Sequence, residues 1–270
     1  MSLRRLALIV NRSKSGVDEI VHTIREVTQS AGVTLVMVDN WPISRETIRG
    51  CDACCVVGGD GTFLGVAEPA ALEGVPLFGI NRGKLGFLAA YPSEDIAGSI
   101  RTILAGDYRL ENRALLEIRF ANQTFNLALN DVVLKTRDVF RMGRFIVRAD
   151  GGNVNEYRAD GLILATPTGS TAYNLAAGGP LVDPAASVIA LTPICAHTLS
   201  NRSVIFDGET ELEVHSEDVA HLGLSVDGRP TLEAQGRLPL VVRTAKVQLS
   251  LIRPKNLTHF DILRNKLKWA

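Results

Sequence analysis

The sequence predicts an α/β N-terminal domain built on a parallel sheet, followed by a C-terminal half of mostly antiparallel β-structure. Three observations carry this. Short apolar runs alternate with helically periodic segments over the first hundred residues, the pattern of a parallel sheet covered by helices. After Gly106 the hydrophobic period shortens to two, as in strands with one buried face. Asp-Gly pairs at 150–151, 160–161, 207–208 and 227–228 then punctuate the chain at turn-like intervals.

The elements follow in order. Leu6–Val10 reads as a strand. Gly16–Ser30 places Ile20, Val21, Ile24, Val27 and Ala31 at helical spacing, and Gly32 stops the helix. Val33–Val38 is strand-like, Ser44–Gly50 a short helix, and Ala53–Val57 a continuous apolar strand. Thr62–Leu72 is helical, shortened by Pro69. Val75–Ile80 is a further strand, and Ser93–Leu104 a helix with Glu94 and Asp95 in its first turn. Beyond Gly106, alternation marks strands at Leu115–Phe120, Thr124–Leu129, Phe145–Arg148 and Glu211–Val214. Asn256–Trp269 turns helical again, with Phe260, Leu263 and Leu267 on one face. The expected domains are 1–106 and 107–253, with the tail 254–270 packing back on the first.

Bulk properties narrow the function. The chain has 270 residues, 46% hydrophobic and 21% charged, enough for two ordinary cores. Lys+Arg and Asp+Glu both number 29, so no global positive field exists to hold a nucleic-acid backbone or an anionic membrane. The apolar start Leu6–Val10 is too short for a signal peptide and no run is long enough to span a membrane, so a cytoplasmic protein is expected. Cys51, Cys54, Cys55 and Cys195 lack the companion pair a zinc site needs and are expected to be buried thiols.

The chemistry-bearing segment of the first half is Gly58-Gly59-Asp60-Gly61-Thr62, between an apolar strand and a helix. Glycines admit positive φ and close approach of a phosphate, and a helix start attracts anions. An Asp there would repel phosphate unless it holds Mg²⁺, accepts a proton or bonds a hydroxyl. The alternative is a tight turn with Asp60 as helix cap. Gly79–Leu85 fails the Walker A spacing, and Gly59-x-Gly61 fails the dinucleotide fingerprint because Gly comes one place late at 65. Arg82 and Lys84, after the next strand, either face the same crevice or are solvated cations.

The second half holds two further anomalies. Alternation breaks at Asn130-Asp131, either as a bulge or as a nucleoside-reading pair. Then Arg158 and Asp160 precede a strand and the run Thr166–Thr171, which opens a short helix whose hydroxyls bind phosphate or cap.

Taken in order, GGDGT, NRGKLGFL, LNDVVL, RADGLILATPTGSTAYNLAAGGP, HTLSNR and SVDG resemble the bacterial NAD kinases over nearly the whole chain. The resemblance implies an α/β domain and a β-sandwich-like domain. It implies transfer of the γ-phosphoryl of ATP, or of polyphosphate, to the 2′-hydroxyl of the adenosine ribose of NAD. It also implies a divalent ion such as Mg²⁺, and a homodimer or homotetramer. No protein side chains are assigned as ligands of that ion. By motif position Asp60 is the proton acceptor. Gly58, Gly59, Gly61, Thr62 and Arg82 serve the donor's phosphates. Asp60, Gly61, Asn130, Asp131, Arg141, Arg158, Asp160 and the segment Thr171, Ala172, Tyr173, Asn174, Leu175, Ala176 serve NAD. Arg229 stands where the family often has Gln, and there meets either phosphate or water. The GGDGT turn alone is shared with lipid kinases, and a non-catalytic NAD(P) sensor would keep the second block, so both are the alternatives.

Overall fold

The computed structural model describes residues 3–12, 16–39, 41–81, 86–138, 140–198, 200–229 and 232–269. The chain forms two compact units, Met1–Asn112 with Leu249–Ala270, and Arg113–Gln248.

The first unit runs β1 (Arg5–Val10), α1 (Val17–Ser30), β2 (Thr34–Val38), α2 (Arg45–Ile48), β3 (Ala53–Val57), α3 (Asp60–Glu73), β4 (Leu77–Asn81), β5 (Tyr91–Pro92) and α4 (Ile96–Leu104). The strands lie in the order β5-β4-β3-β1-β2, and every pairing is parallel. All five residues of β3 are buried, as a central parallel strand requires. Val10 pairs with Val57, and Val57 with Ile80, so the loops after β1, β3 and β4 leave the sheet at one edge. The core joins Leu6 and Leu8 to Ile20, Ile24, Phe78, Ile80, Ile100 and Ile252.

Pro69 does not shorten α3. The helix continues to Glu73 with Pro69 inside it and buried. The surrounding residues Phe63, Val66, Ala67, Ala70 and Ala71 are also buried, and that packing outweighs the lost main-chain bond. The helix expected from Ser93 opens instead as a single 3-10 turn, and α4 starts at Ile96 where the Asp95 carboxylate caps Gly98 N–H.

The second unit is built from β6 (Arg109–Arg119, which enters from the first unit), β7 (Phe125–Ala128), β8 (Asp131–Thr136), β9 (Gly143–Ala149), β10 (Gly152–Ala159), β11 (Gly161–Ala165), α5 (Tyr173–Ala176), β12 (Val188–Ile194), β13 (Val204–Asp207), β14 (Leu212–His215), β15 (Leu222–Val226), β16 (Leu232–Glu233) and β17 (Leu240–Arg253). One sheet has the antiparallel order β13-β12-β11-β8-β15-β16. The other pairs β10-β9-β14-β17, with β6 beside β17 and β7. Their inner faces share one core, in which Leu116, Phe145, Val147 and Leu212 of one sheet meet Leu134, Leu162, Leu191 and Leu224 of the other. This is a sandwich. Asp150-Gly151 and Asp227-Gly228 take positive φ at both residues, the geometry of tight hairpins. Asp160-Gly161 is different: Gly161 opens β11 as the chain passes from one sheet to the other.

Past Gln248, β17 returns to the first unit, where Leu251 pairs parallel with Leu77. α6 (His259–Leu267) ends the chain. Its buried face is Ile262 and Leu263, while Phe260 is exposed, contrary to the expected stripe.

Candidate functional site

The glycine turn sits at the carboxyl end of β3, the edge where open α/β sheets receive ligands. Its glycines are not among those at positive φ, so conformational freedom is not their purpose. Space is. A methyl on Gly58 would sit 2.7 Å from the Thr62 hydroxyl, whereas one on Gly61 would meet nothing within 4 Å. Gly61 is thus an exposed, open approach to the first turn of α3, where N–H groups lack intrahelical partners. Thr62 is buried, and its hydroxyl accepts from Asn11 Nδ2 at 3.1 Å, tying the turn to the end of β1.

Asp60 is the first residue of α3 and does not cap it, because the cap position is Gly59 and no side chain caps there. The half-buried carboxylate points at the following loop, accepting from Leu88 N–H at 3.3 Å and Ala89 N–H at 3.5 Å. That loop is held from behind by Arg253, which donates to Leu88 O at 3.0 Å and Phe87 O at 2.8 Å. Arg253 is 3% exposed and lies 3.6 Å from Glu111, so a buried cation with a carboxylate beside it supports the loop that faces Asp60. Arg82 and Lys84 lie outside the described residues.

In the second unit the break at Asn130-Asp131 is not a bulge. β7 ends at Ala128, β8 starts at Asp131, and the β8 register runs unbroken against β11 and β15. The turn between them rests on Asp227, whose carboxylate accepts from Leu129 N–H at 2.8 Å, Asn130 N–H at 2.7 Å and Asp131 N–H at 3.2 Å. Burial, and then the nearby Asp227 charge, push the Asp131 carboxyl up to about 7. Burial also raises Asp227, against the pull of its three N–H donors and Arg229.

Beside this turn lies Thr166–Ala176. Thr166 donates from its hydroxyl to Leu129 O at 2.5 Å and from its N–H to Asn130 O at 2.9 Å. The helix expected at Thr171 is a 3-10 turn, Thr168–Thr171, followed by the single turn α5, and neither has a side-chain cap. Ser170 and Thr171 donate back to Pro167 O and Thr168 O instead. Thr171, Ala172 and Leu175 are half-buried, while Tyr173 and Ala176 are exposed. Asn174 is different. It is fully buried, with its amide spent on Ser170 O, Pro180 O and Thr192 Oγ1, so only its main chain can serve a ligand.

Arg141 and Arg158 meet at one pocket of about 360 Å³, together with Arg144, His197 and Asp218. Arg141 donates to Asp218 at 2.7 Å, and Arg158 is largely exposed, 3.9 Å from Glu156. Arg144 is held by both oxygens of Glu156 at 2.7 and 2.8 Å, so the hollow combines three guanidiniums with carboxylates that partly offset them. Asp160 is half-buried at the crossing between the sheets. Arg229 is half-buried and donates to Leu127 O at 3.0 Å and Val226 O at 3.3 Å.

Sequence reasoning gave Asp227 and Arg253 no role at the site and read Thr166 only as one of a run of hydroxyls. Their partners lie 96–98, 37 and 165–166 residues away, and no local pattern records such pairings. The Asp-Gly turn at 227–228 was the one available signal. Of the cysteines, Cys51, Cys54 and Cys55 are buried as expected, but Cys195 is exposed.

A parallel-sheet domain with a carboxylate at a phosphate-type turn, joined to a sandwich that carries polar pairs and an arginine pocket, defines a phosphotransferase acting on nucleotides. Residues 42–108 match the ATP-NAD kinase N-terminal domain and residues 129–254 the ATP-NAD kinase C-terminal domain. The NAD kinase of Halorhodospira halophila is 41% identical over 239 residues, covering 84% of this chain and 77% of its own. That of Caldicellulosiruptor bescii is 35% identical over 263 residues, covering 97% and 99%. Among solved structures, an NAD kinase from Archaeoglobus fulgidus in complex with ATP superposes with a TM-score of 0.80 at 25% identity, covering 97% of this chain and 99% of its own. Yeast NADH kinase complexed with NADH shares the fold, with a TM-score of 0.86 at 23% identity over 99% and 87%. This chain belongs to the NAD kinase family and is an enzyme of that family. The lipid-kinase and sensor readings find no support among these relatives.

Proposed function

We propose that this chain transfers the γ-phosphoryl of ATP to the 2′-hydroxyl of the adenosine ribose of NAD, giving NADP. The observation that carries the reading is the Asp60 carboxylate, set at the end of β3 and turned away from its own helix. Phosphoryl transfer asks for positioning and charge neutralisation more than for covalent chemistry. Gly58, Gly59, Gly61 and Thr62, with the first turn of α3, receive the donor's phosphates. Asp60 holds the acceptor hydroxyl and takes its proton late, as a weak base does in a loose transition state.

On the acceptor side, Asn130 offers an amide to the adenine edge and Asp131 a carboxylate to ribose hydroxyls. Arg141 and Arg158 take the dinucleotide's phosphates. Asp160, Arg229 and the segment Thr171–Ala176 line the rest, Asn174 through its main chain. ATP as donor accords with the A. fulgidus relative solved with ATP. Polyphosphate is a second donor to be assayed beside it.

A divalent ion fits this arrangement as a companion of the donor's phosphates rather than in a protein cage. Among the described residues no three His, Cys, Asp or Glu side chains group as such a cage would need, and Asp60 is the carboxylate within the turn. When bound, Mg²⁺ would neutralise phosphate charge there. No helix of the described residues is long and apolar enough to cross a membrane. A cytoplasmic homodimer or homotetramer completes the reading.

The decisive variant is Asp60→Asn. Its kcat should fall at least about a hundredfold with the thermal midpoint preserved. Near-normal turnover would remove Asp60 from the chemistry.

A further inference from the structure

Two segments of the second unit grip one short stretch of main chain from different sides. Asp227 collects the N–H groups of Leu129, Asn130 and Asp131 at 2.7–3.2 Å, and its own N–H donates to Asp131 O at 3.0 Å. Thr166 supplies the remaining donors, to Leu129 O from its hydroxyl and to Asn130 O from its N–H. All six main-chain N–H and C=O groups of residues 129–131 are thereby committed. Gly169 closes the same side, since a methyl there would overlap the Asn130 carbonyl.

The side chains carried by this stretch are treated in the opposite way. Among the described residues neither the Asn130 amide nor the Asp131 carboxyl has a hydrogen-bond partner, although Asp131 is only 5% exposed. Main chain fully fixed, side-chain polar groups unspent: this is how a binding group is preorganised. Fixing it with Asp227 is costly, because that carboxylate is 6% exposed and sits in a residue at φ 51°.

We infer that Asp227 is a positioning residue for nucleoside recognition, acting through the main chain of residues 129–131 to aim the Asn130 amide and the Asp131 carboxyl at the acceptor nucleotide. This rests on the nucleoside reading of Asn130 and Asp131 given above. Asp227 need touch no substrate. Its carboxylate faces main-chain donors, and a single atom, Oδ1, serves both residues of the pair.

The test uses the full chain with Asp227→Asn, which keeps shape but presents an NH₂ to at least one N–H group. Thr166→Val is the partner variant, removing the hydroxyl bond to Leu129 O and the one that the hydroxyl accepts from Gly169 N–H at 3.0 Å, while keeping the N–H bond to Asn130 O. Steady-state kinetics are run separately for NAD and ATP, with thermal unfolding alongside. Asp227→Asn should raise the NAD KM about tenfold or more and move the ATP KM by less than about twofold. Thr166→Val should produce the same split at several-fold, so that a misfolded Asp227→Asn leaves the question decided by Thr166→Val. An unchanged NAD KM overturns the proposal, as does a joint rise of both KM values in step with lost stability. Asp131→Ala separates the two levels. If it weakens NAD binding while Asp227→Asn does not, positioning fails and the nucleoside reading survives. If Asp131→Ala is silent as well, the nucleoside reading has failed and takes the proposal with it.

Discussion

Asp131 is a buried carboxyl beside a second one, Asp227. Its carboxyl is raised from 3.8 to about 7, first by burial and then by the Asp227 charge, with the Arg229 cation set to favour Asp227 rather than Asp131. A carboxyl with a raised folded pKa binds more protons folded than unfolded between those two values. Stability from this group is therefore fully present below pH ~4 and is lost as pH climbs through about 7. Three units correspond to roughly 4 kcal/mol at most. Asp131→Asn should remove that slope, so thermal midpoints of variant and parent, compared from pH 4 to 8, should diverge upward in favour of the variant and level off above 7. The same titration should appear in binding with the opposite benefit. The ionised carboxylate is the better acceptor for ribose hydroxyls, so NAD affinity by calorimetry should be up to about tenfold weaker at pH 6 than at pH 8. That difference should vanish in Asp131→Asn. A flat profile in the parent would show the carboxyl to be ionised throughout. The residue proposed for catalysis was legible: Asp60 stands inside a local motif. What Asp131 needs in order to work was not, because Asp227 reaches it across 96 residues of sequence.

At the level of elements, local rules held where an element's own residues decide its form and yielded where burial decides. β3 is an unbroken apolar run and forms as read, at Ala53–Val57. α3 breaks the proline rule because Pro69 lies on its buried face with Phe63, Val66, Ala67, Ala70 and Ala71, and that packing keeps the helix intact. The Thr/Gly/Ser run misled for a different reason. Its hydroxyls have near carbonyls to satisfy, Ser170 to Pro167 O and Thr171 to Thr168 O, and this favours a tight 3-10 turn over a capped helix. α6 is the converse case, a helix fixed by its first turn. Thr258 and Asp261 form a reciprocal capping box, and Arg264 pairs with Asp261. Thr258→Ala should cost about 1 kcal/mol, a fall of about 2–4 °C in the thermal midpoint for a protein of this size. Calorimetric scans of the two proteins check this, and an unshifted midpoint would mean that the tail contributes nothing to the cooperative unit.

Across the whole molecule, the alternation of strands and helices told the first unit from the second, since period and turn chemistry change where the architecture does. The sequence could not say that β17 would serve both units. Its residues to Gln248 lie in the sandwich and those from Leu249 in the parallel-sheet unit, where Leu249, Leu251 and Ile252 are buried. The first unit is thus assembled from two stretches 136 residues apart in the chain, Arg113–Gln248 lying between them. Its glycine turn is linked to the second stretch through Arg253, which holds the carbonyls of Phe87 and Leu88 beside Asp60. Cutting the chain after Gln248 would remove three buried aliphatic side chains at about 1.5–3 kcal/mol each, α6, and the buried guanidinium that faces Glu111. That sum reaches the whole of a typical net stability, about 5–15 kcal/mol. A chain of residues 1–248 should therefore lose amide-exchange protection throughout β1 and β3 and have no NAD kinase activity, even though every residue of the glycine turn is present. Protection of β3 equal to that in the full chain would mean that residues 1–112 fold without the returning strand, and that Arg253 is dispensable to the loop it holds.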